Sequence, residues 1–264
     1  MRVATAQLPA IEDSDDKVFT TPDSVIMLDG ASAFVPVPVP ASTYADRLGR
    51  HLRDRLTARP DADLTTALSD AISDTARTLD LHEGESPSST VTIARRSGDV
   101  LDLAMLGDNL VILPNEVLTD ERMDALDLAP RRKYRERLAA GNGYDDEHRA
   151  ILQELQTQQA QHRNRDGGYW IAETNPEAGA QAITAQRPIS TAPWAILATD
   201  GAYNTMHHLA LTDWPTLAHA PNDQLATILA RCRAWEGETD PQARQLPRAK
   251  RHDDKSLAVI TFTG

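Results

Sequence analysis

The stretch Val25-Ile26-Met27-Leu28-Asp29-Gly30 is a run of four apolar residues that ends abruptly at an Asp-Gly pair. A short apolar run that stops at a turn dipeptide predicts a buried strand. The same pattern returns at Ile196-Leu197-Ala198-Thr199-Asp200-Gly201. A third acidic pair, Asp253-Asp254, comes just before the last apolar run, Leu257–Phe262. The sequence therefore places acidic residues next to three predicted buried strands.

A fourth acidic cluster precedes a short predicted strand near the N-terminus. It contains Glu12-Asp13 and Asp15-Asp16, and Val18-Phe19 follows. Carboxylates at strand ends can converge on one point, and Mg²⁺ and Mn²⁺ prefer such hard oxygen ligands with several waters retained. A Gly after the Asp leaves room for a hydrated ion and lets a main-chain carbonyl serve as a ligand. Although a single Asp-Gly pair is also a common turn, the set predicts a metal site.

The segments between these acidic strands predict helices first and antiparallel strands next. Apolar residues recur every four positions from Tyr44 to Leu56, and a second apolar stripe begins near Asp63, which together predict a helical hairpin. An antiparallel meander is then predicted at Thr90–Ala94, Val100–Leu106 and Leu110–Leu113. Because strands and helices do not alternate regularly, the fold class is predicted as α+β.

The polar part of the chain, residues 114–166, predicts an excursion that carries helices on the surface. It contains the basic run Arg131–Arg137 and a Gln-rich helix predicted at Asp145–Arg163, and it returns to a predicted strand at Gly168–Ala172. Its first part has few large apolar residues, so we interpret the segment as a surface insertion. A single domain over residues 1–264 is expected.

Composition excludes several classes of protein. Lys and Arg number 27 against 39 Asp and Glu, and the net charge of -12 argues against a non-specific nucleic-acid binder. No apolar run approaches the roughly 18 residues of a membrane-spanning helix, and the N-terminus lacks an apolar signal core. The single cysteine, Cys232, excludes an internal disulfide and an all-Cys zinc site. We therefore expect a cytoplasmic protein with no nucleic-acid or membrane partner, and leave its oligomeric state open.

The order of the motifs resembles that of the metal-dependent serine/threonine phosphatases of the type 2C family, and suggests a divergent bacterial-type member. The motifs that carry the resemblance are Asp15-Asp16, Asp29-Gly30, Ser88-Ser89-Thr90, Gly107-Asp108, Thr199-Asp200-Gly201 and Asp253-Asp254. They span nearly the whole chain and are weakest at about 114–190, where the resemblance implies a variable helical flap inserted in the domain. The resemblance implies a four-layer α-β-β-α sandwich of two antiparallel sheets flanked by helices, with metals at one end.

The resemblance also implies roles for individual residues. Two Mn²⁺ or Mg²⁺ ions would be bridged by Asp29, with the carbonyl of Gly30 as a further ligand. Asp200 would hold one ion, and Asp253 with Asp16 the other. Asp108 is a candidate ligand of a third, looser ion. The ions would activate a water that attacks phosphorus in line without a covalent intermediate, so Asp29 and Asp200 would act in catalysis through that water.

Three departures from the family pattern affect the predicted site. The Arg that members carry before the acidic pair to bind the substrate phosphate has no counterpart in Leu8–Glu12. Asn204 stands where members carry another Asp. The loop Ala31–Phe34 lacks a His that some members have. The phosphate-binding residue is therefore unknown.

Two basic clusters offer substitutes for the missing Arg. One runs directly into Asp253 and comprises Arg244, Arg248, Lys250 and Arg251, of which Arg248 and Arg251 are the candidates for binding phosphate. The other lies in the flap at Arg131–Lys133. The interpretation that we favour for both clusters is a solvated loop that balances an acidic surface, and phosphate binding is the alternative.

The function that we expect is enzymatic: metal-dependent hydrolysis of phosphoserine or phosphothreonine in a phosphoprotein substrate. Two alternatives remain beside this first function. The second is a binding or regulatory module on a phosphatase fold with weak or lost turnover, and the third is hydrolysis of a small phosphomonoester. The retained acidic positions favour an enzyme, whereas the missing Arg and Asn204 favour the module.

Overall fold

The structure, a computed structural model, describes residues 1–31, 33–34 and 36–262. The strands are β1 (Arg2–Leu8), β2 (Lys17–Thr20), β3 (Ser24–Leu28), β4 (Val91–Ser97), β5 (Val100–Leu106), β6 (Leu110–Leu113), β7 (Glu116–Leu118), β8 (Ile183–Pro188), β9 (Trp194–Ala198) and β10 (Lys255–Thr261). The helices are α1 (Ala41–Ala58), α2 (Leu64–Thr78), α3 (Ala129–Ala139), α4 (Asp146–His162), α5 (Glu177–Ala180), α6 (Asp200–His208), α7 (Trp214–Leu217) and α8 (Asn222–Glu238).

The strands form two antiparallel sheets that pack face to face. The first sheet has the order β1-β10-β9-β6-β7, and the second has the order β2-β3-β4-β5-β8. Helices α6 and α8 cover the outer face of the first sheet, and α1 and α2 cover that of the second. The predicted α+β class and four-layer α-β-β-α sandwich are therefore confirmed.

The two central strands that carry the Asp-Gly pairs are buried on both faces, which explains their continuous apolar sequences. In β3, Val25 and Met27 point into the core between the sheets, whereas Ile26 and Leu28 point toward α1 and α2. Strand β9 follows the same rule, because Leu197 faces the other sheet and Ile196 faces α6 and α8. All residues of both strands are buried.

The predicted meander is wrong in its third strand. Strands β4 and β5 pair as expected, but β6 pairs with β7 and β9 in the opposite sheet. The chain crosses between the sheets at Gly107, whose φ of 86° is readily adopted only by glycine. The apolar pattern of residues 110–113 identified a strand, but such a pattern does not encode the partner strand.

The predicted strand at Gly168–Ala172 is also wrong. This segment makes only isolated bridges, between Ala172 and Ser89 and between Tyr169 and Arg163. Its apolar side chains are buried nonetheless, and Trp170 packs into the core beneath α1 and α2. The burial of these side chains, rather than sheet pairing, accounts for the apolar composition of the segment.

The flap expected at about 114–190 is partly helical and partly sheet. Strand β7 pairs with β6 and strand β8 with β5, so both extend the sheets at their edges. Helices α3 and α4 pack on each other around a small core that includes Leu138, Ile151 and Leu152. Among the described residues, none of the helices is both long and apolar enough to cross a membrane.

Candidate active site

The acidic motifs meet at one end of the sandwich. Strand β3 ends beside the start of β2, because Leu28 pairs with Lys17. In the other sheet, β9 ends beside the start of β10, because Ala198 pairs with Leu257. Within the second sheet, the antiparallel pairing places the residues that precede β2 beside those that follow β3. Within the first sheet, it places the residues that precede β10 beside those that follow β9.

The Asp29-Gly30 turn is held by the segment that precedes β4. The backbone N–H of Asp29 donates to Thr90 Oγ1 at 3.0 Å, and the carbonyl of Asp29 accepts from Ser89 Oγ at 3.0 Å. The backbone N–H of Thr90 donates to the same carbonyl at 2.9 Å. The Ser-Thr pair therefore fixes the direction in which the Asp29 carboxylate leaves the strand.

Hydrogen bonds across the two sheets position the N-terminal acidic loop. Asp254 accepts through Oδ2 from the backbone N–H of Asp15 at 2.5 Å and from Ser14 Oγ at 3.2 Å. Thr199 Oγ1 donates to Asp16 Oδ2 at 2.9 Å, and the backbone N–H of Ser256 donates to Thr199 Oγ1 at 3.0 Å. Asp254 and Thr199 thus hold the Asp15-Asp16 pair in place.

Both glycines of the Asp-Gly pairs are required by close backbone approaches. A Cβ on Gly30 would lie 2.8 Å from the carbonyl oxygen of Asp15. A Cβ on Gly201 would collide with the carbonyl oxygen of Asp254 and lie 3.0 Å from the Cβ of Asp253. Glycine is therefore what allows the acidic segments to come together.

The carboxylates raise one another's pKa values. The pKa of Asp29 lies well above its usual range, first because of burial and then because of the charges of Asp16, Asp200, Asp253 and Asp108. Burial, followed by the charge of Asp253, raises the pKa of Asp200 to about 7. The pKa of Asp16 rises to about 8, mainly through burial. Such a group favours a bound cation, because a cation offsets both causes.

The donor set fits a divalent metal. Asp16 is fully buried, and its Oδ1 has no hydrogen-bond partner although its Oδ2 is bonded to Thr199. An orphaned buried carboxylate oxygen is costly unless a ligand satisfies it. Among the described residues, no three His, Cys, Asp or Glu side chains converge tightly enough to hold an ion by themselves. Waters and the carbonyl of Gly30 would complete the coordination, as Mg²⁺ and Mn²⁺ tolerate.

Asp108 joins this acidic group from a different part of the chain. It lies in the crossover between β5 and β6, and its charge contributes to the raised pKa values of Asp29 and Asp200. Its own pKa is raised mainly by burial, and also by Asp124. The structure thus brings together the five Asp side chains predicted as metal ligands.

A cleft of about 400 Å³ opens above the carboxylates, a size within the usual range for ligand pockets. One wall is formed by Asp29, Asp108, Asp200 and Asp253, which are partly exposed to the cleft. Helix α3 also lines the cleft, through Arg131, Tyr134 and Arg135. The basic run predicted as part of a surface flap therefore shares this cleft with the acidic group.

The two predicted phosphate candidates are engaged elsewhere. Arg248 forms an ion pair with Asp240 at 2.9 Å and lies over the ring of Trp235. Arg251 is exposed and donates to the carbonyl of Gly237 at 3.2 Å. Arg248 lines a cavity beside Asp200, but its hydrogen bonds already go to the α8 terminus and neighbouring loop.

Sequence reasoning did not identify three residues that shape the site. Thr199 and Asp254 were part of the motifs but had no role assigned, and Lys250 was one of four clustered cations. Lys250 Nζ lies 2.6 Å from Asp253 Oδ1. The sequence shows that Lys250 precedes the ligand candidate Asp253 by three residues. It does not show that the Lys250 side chain points toward Asp253.

Comparison with solved structures identifies the fold. The photosystem II phosphatase PBCP is 13% identical, with a TM-score of 0.58 over 99% of this chain and 98% of that one. The serine/threonine phosphatase MsPP of the PPM type from Mycobacterium smegmatis is 16% identical, with a TM-score of 0.54 over 100% and 99%. A bacterial serine phosphatase is 9% identical, with a TM-score of 0.58 over 100% and 98%.

These structures define the class of fold. The chain has the fold of the PPM-type serine/threonine phosphatases across its length. No protein-family model matches the sequence, and no curated protein matches it either.

Proposed function

We propose that this protein is a Mn²⁺- or Mg²⁺-dependent phosphatase that hydrolyses phosphoserine or phosphothreonine in proteins. The observation that carries the proposal is the group of five Asp residues at one end of the sandwich, which includes an unpartnered buried oxygen of Asp16. The fold, shared with phosphatases, supports the same activity. The cytoplasmic location and a phosphoprotein partner remain predictions that go with this proposal.

In this proposal the residues of the site have two kinds of role, holding the metal ions and positioning the ligands. Asp29, Asp200, Asp253 and Asp16, with the carbonyl of Gly30, would hold the ions, and Asp108 would help with a third. The ions, when bound, supply the positive charge that activates a water and offsets the charge on phosphoryl oxygens. Thr199 and Asp254 keep the acidic segments in place, and Ser89 with Thr90 orients Asp29.

The test of this function is hydrolysis of p-nitrophenyl phosphate and a phosphothreonine peptide with Mn²⁺, with Mg²⁺ and with EDTA. We expect turnover that requires the metal and that falls at least about 100-fold in Asp200→Ala, as when a preorganised electrostatic group is removed. Equal activity of wild type and Asp200→Ala, or activity that persists in EDTA, would contradict the proposal.

The second candidate is a phosphatase-fold module that binds metal or ligand without turnover. It is favoured by Asn204, which lines the cleft where the family pattern has a carboxylate. Mn²⁺ binding measured by calorimetry, without hydrolysis of either substrate, would select this module over the enzyme. Preference for small phosphomonoesters over the peptide would select the third function.

Arg135 is the residue we expect to contact the substrate phosphate. It lines both cavities beside Asp200 and Asp253. Its helix neighbours Arg131, Arg132 and Arg137 are in ion pairs, whereas Arg135 has no acidic partner within the described part of the chain. Arg135→Gln should raise KM for the phosphopeptide about 10-fold with a smaller change in kcat, because it removes a charged hydrogen bond.

The matched control for this variant is Arg132→Gln. Arg132 is on the same helix, carries the same charge and pairs with Asp127, but it does not line either cavity beside the carboxylates. We expect its KM to change less than about two-fold, as for an exposed charge. Equal increases of KM in the two variants would show a general charge effect and reject the role of Arg135.

A further inference from the structure

The segment before β10 places one basic side chain, that of Lys250, beside the acidic group. Lys250 Nζ lies 2.6 Å from Asp253 Oδ1, and its side chain is only 29% exposed. The charges of Asp253, Asp29 and Asp254 all act on the ammonium group. Its neighbours in the same segment are directed elsewhere, with Arg248 on Asp240 and Arg251 on the carbonyl of Gly237.

The backbone that carries Lys250 is anchored on both sides. The hydroxyl of Tyr144 donates to the carbonyl of Lys250 at 3.0 Å, and the Nε2 atom of His148 lies 2.8 Å from the carbonyl oxygen of Ala249. Arg248, two residues earlier, is fixed by its ion pair with Asp240. The ammonium group is therefore tethered beside Asp253 and has a high effective concentration there.

We propose that Lys250 is a built-in cation that neutralises Asp253 and competes with a divalent ion for this carboxylate. Asp253 Oδ1 already accepts from Lys250 Nζ and from the backbone N–H of Asp254 at 3.1 Å. A metal bound at Oδ1 would have to displace the ammonium, and a metal bound at the other oxygen of the same carboxylate would be repelled by the ammonium charge. Lys250 thereby lowers the affinity of the site for metal and stabilises the metal-free fold.

This inference rests on the proposed metal site but does not depend on turnover, since it concerns binding. The test is calorimetric titration of Mn²⁺ into wild type, Lys250→Gln and Arg251→Gln at fixed pH and ionic strength. We expect Lys250→Gln to bind Mn²⁺ about five-fold more tightly, the upper end of what one partly exposed ion pair contributes. Arg251→Gln removes the same charge from the same loop without touching Asp253, and its affinity should change less than about two-fold.

Thermal unfolding provides a second readout that does not require a binding curve. In EDTA, Lys250→Gln should melt at a lower temperature than wild type, because its carboxylates lack a counter-charge. Saturating Mn²⁺ should raise its melting temperature by more than that of wild type, since a ligand that binds the folded state stabilises it. Lys250→Arg, which keeps the charge, should bind Mn²⁺ no more tightly than wild type.

The outcomes separate this inference from the proposed function. Equal or weaker Mn²⁺ binding by Lys250→Gln, with normal binding by wild type, overturns the competition and leaves the metal site intact. Equal tightening in Lys250→Gln and Arg251→Gln also overturns it, because a general charge effect would then explain the result. No Mn²⁺ binding by wild type or by either variant overturns both the competition and the metal-dependent function.

Discussion

Replacing Asp29 with Asn should reduce metal-dependent phosphatase turnover by about 10³-fold, near the upper end of what removing one preorganised electrostatic group costs. The pKa of Asp29 is raised by the charges of all four other carboxylates, which are Asp16, Asp108, Asp200 and Asp253. In the proposed function Asp29 would help to hold both ions, so an amide at this position would weaken the binding of both. The measurement is kcat/KM for the phosphothreonine peptide across a range of Mn²⁺ concentrations.

The same substitution should stabilise the metal-free protein. A carboxyl group whose pKa is higher in the folded state than in the unfolded state makes the fold less stable as pH rises between the two values. The pKa of Asp200 is about 7 and that of Asp16 about 8, and that of Asp29 is also raised, whereas unfolded carboxylates titrate near their usual value. Metal-free wild type should therefore lose stability from about pH 4 to about pH 8.

Asp29→Asn removes one contributor to this loss, since Asn carries no charge. We expect its melting temperature in EDTA to exceed that of wild type at about pH 8 and to match it only at about pH 3, where the carboxyl group of wild type is protonated in both the folded and the unfolded state. Lys250 offsets part of the repulsion in both proteins and does not change the sign. Asp99→Asn, which makes the same change at an exposed turn between β4 and β5, is the control and should leave both melting temperatures unchanged.

Two results would contradict the role of Asp29. One is Mn²⁺-dependent turnover within about 10-fold of wild type, which is too small a loss for a shared ligand. The other is a lower melting temperature of Asp29→Asn in EDTA at high pH, which would mean that the carboxylate stabilises the fold.

The acidic strand ends could be predicted from sequence because their signal is local. Runs such as Val25–Leu28 are apolar at every position since both faces of β3 are buried, and the Asp-Gly pair marks the end of the strand. Strand β1 had no such signal, because most of its residues are small or polar and only Ala4 and Ala6 are buried. Its place is set by pairing with β10, where Leu8 lies opposite Lys255, and local periodicity carries no information about so distant a partner.

The sequence predicts which acidic residues form the site, but it does not predict which basic residues reach them. The order of the motifs identified Asp16, Asp29, Asp200 and Asp253 as one group, and the structure brings them together. Four cations precede Asp253 in the sequence, and only the fold distinguishes Lys250, which reaches the carboxylate, from Arg248, which is held by Asp240. Arg135 was one of several Arg residues in a basic run, and its direction depends on how α3 packs on α4.

Gly201→Ala should disrupt the site through sterics alone. The added Cβ would collide with the carbonyl oxygen of Asp254 and crowd the Cβ of Asp253 at 3.0 Å. These contacts involve backbone and a side-chain root, so the segment before β10 must shift. That shift would move Asp253 and break the hydrogen bonds by which Asp254 holds Ser14 and Asp15. We expect a loss of about 2 kcal/mol or more of stability, as for other overpacked sites, and at least about 100-fold lower turnover, as when positioned charge is displaced.

The matched control is Gly237→Ala, which also adds a methyl group within a helix. Its Cβ would meet only the ring of His252, at 3.3 Å, and alanine favours a helix over glycine by about 1 kcal/mol. We expect Gly237→Ala to retain activity and to melt near the wild-type temperature, while Gly201→Ala melts about 4 °C lower or more, the shift that such a loss produces in a domain of this size. If Gly201→Ala instead kept the wild-type melting temperature, Mn²⁺ affinity and turnover, the close approach of α6 to the Asp253-Asp254 segment would not be what positions the carboxylates. The hydrogen bonds from Thr199 to Asp16 and from Asp15 to Asp254 would then have to hold the acidic group together by themselves.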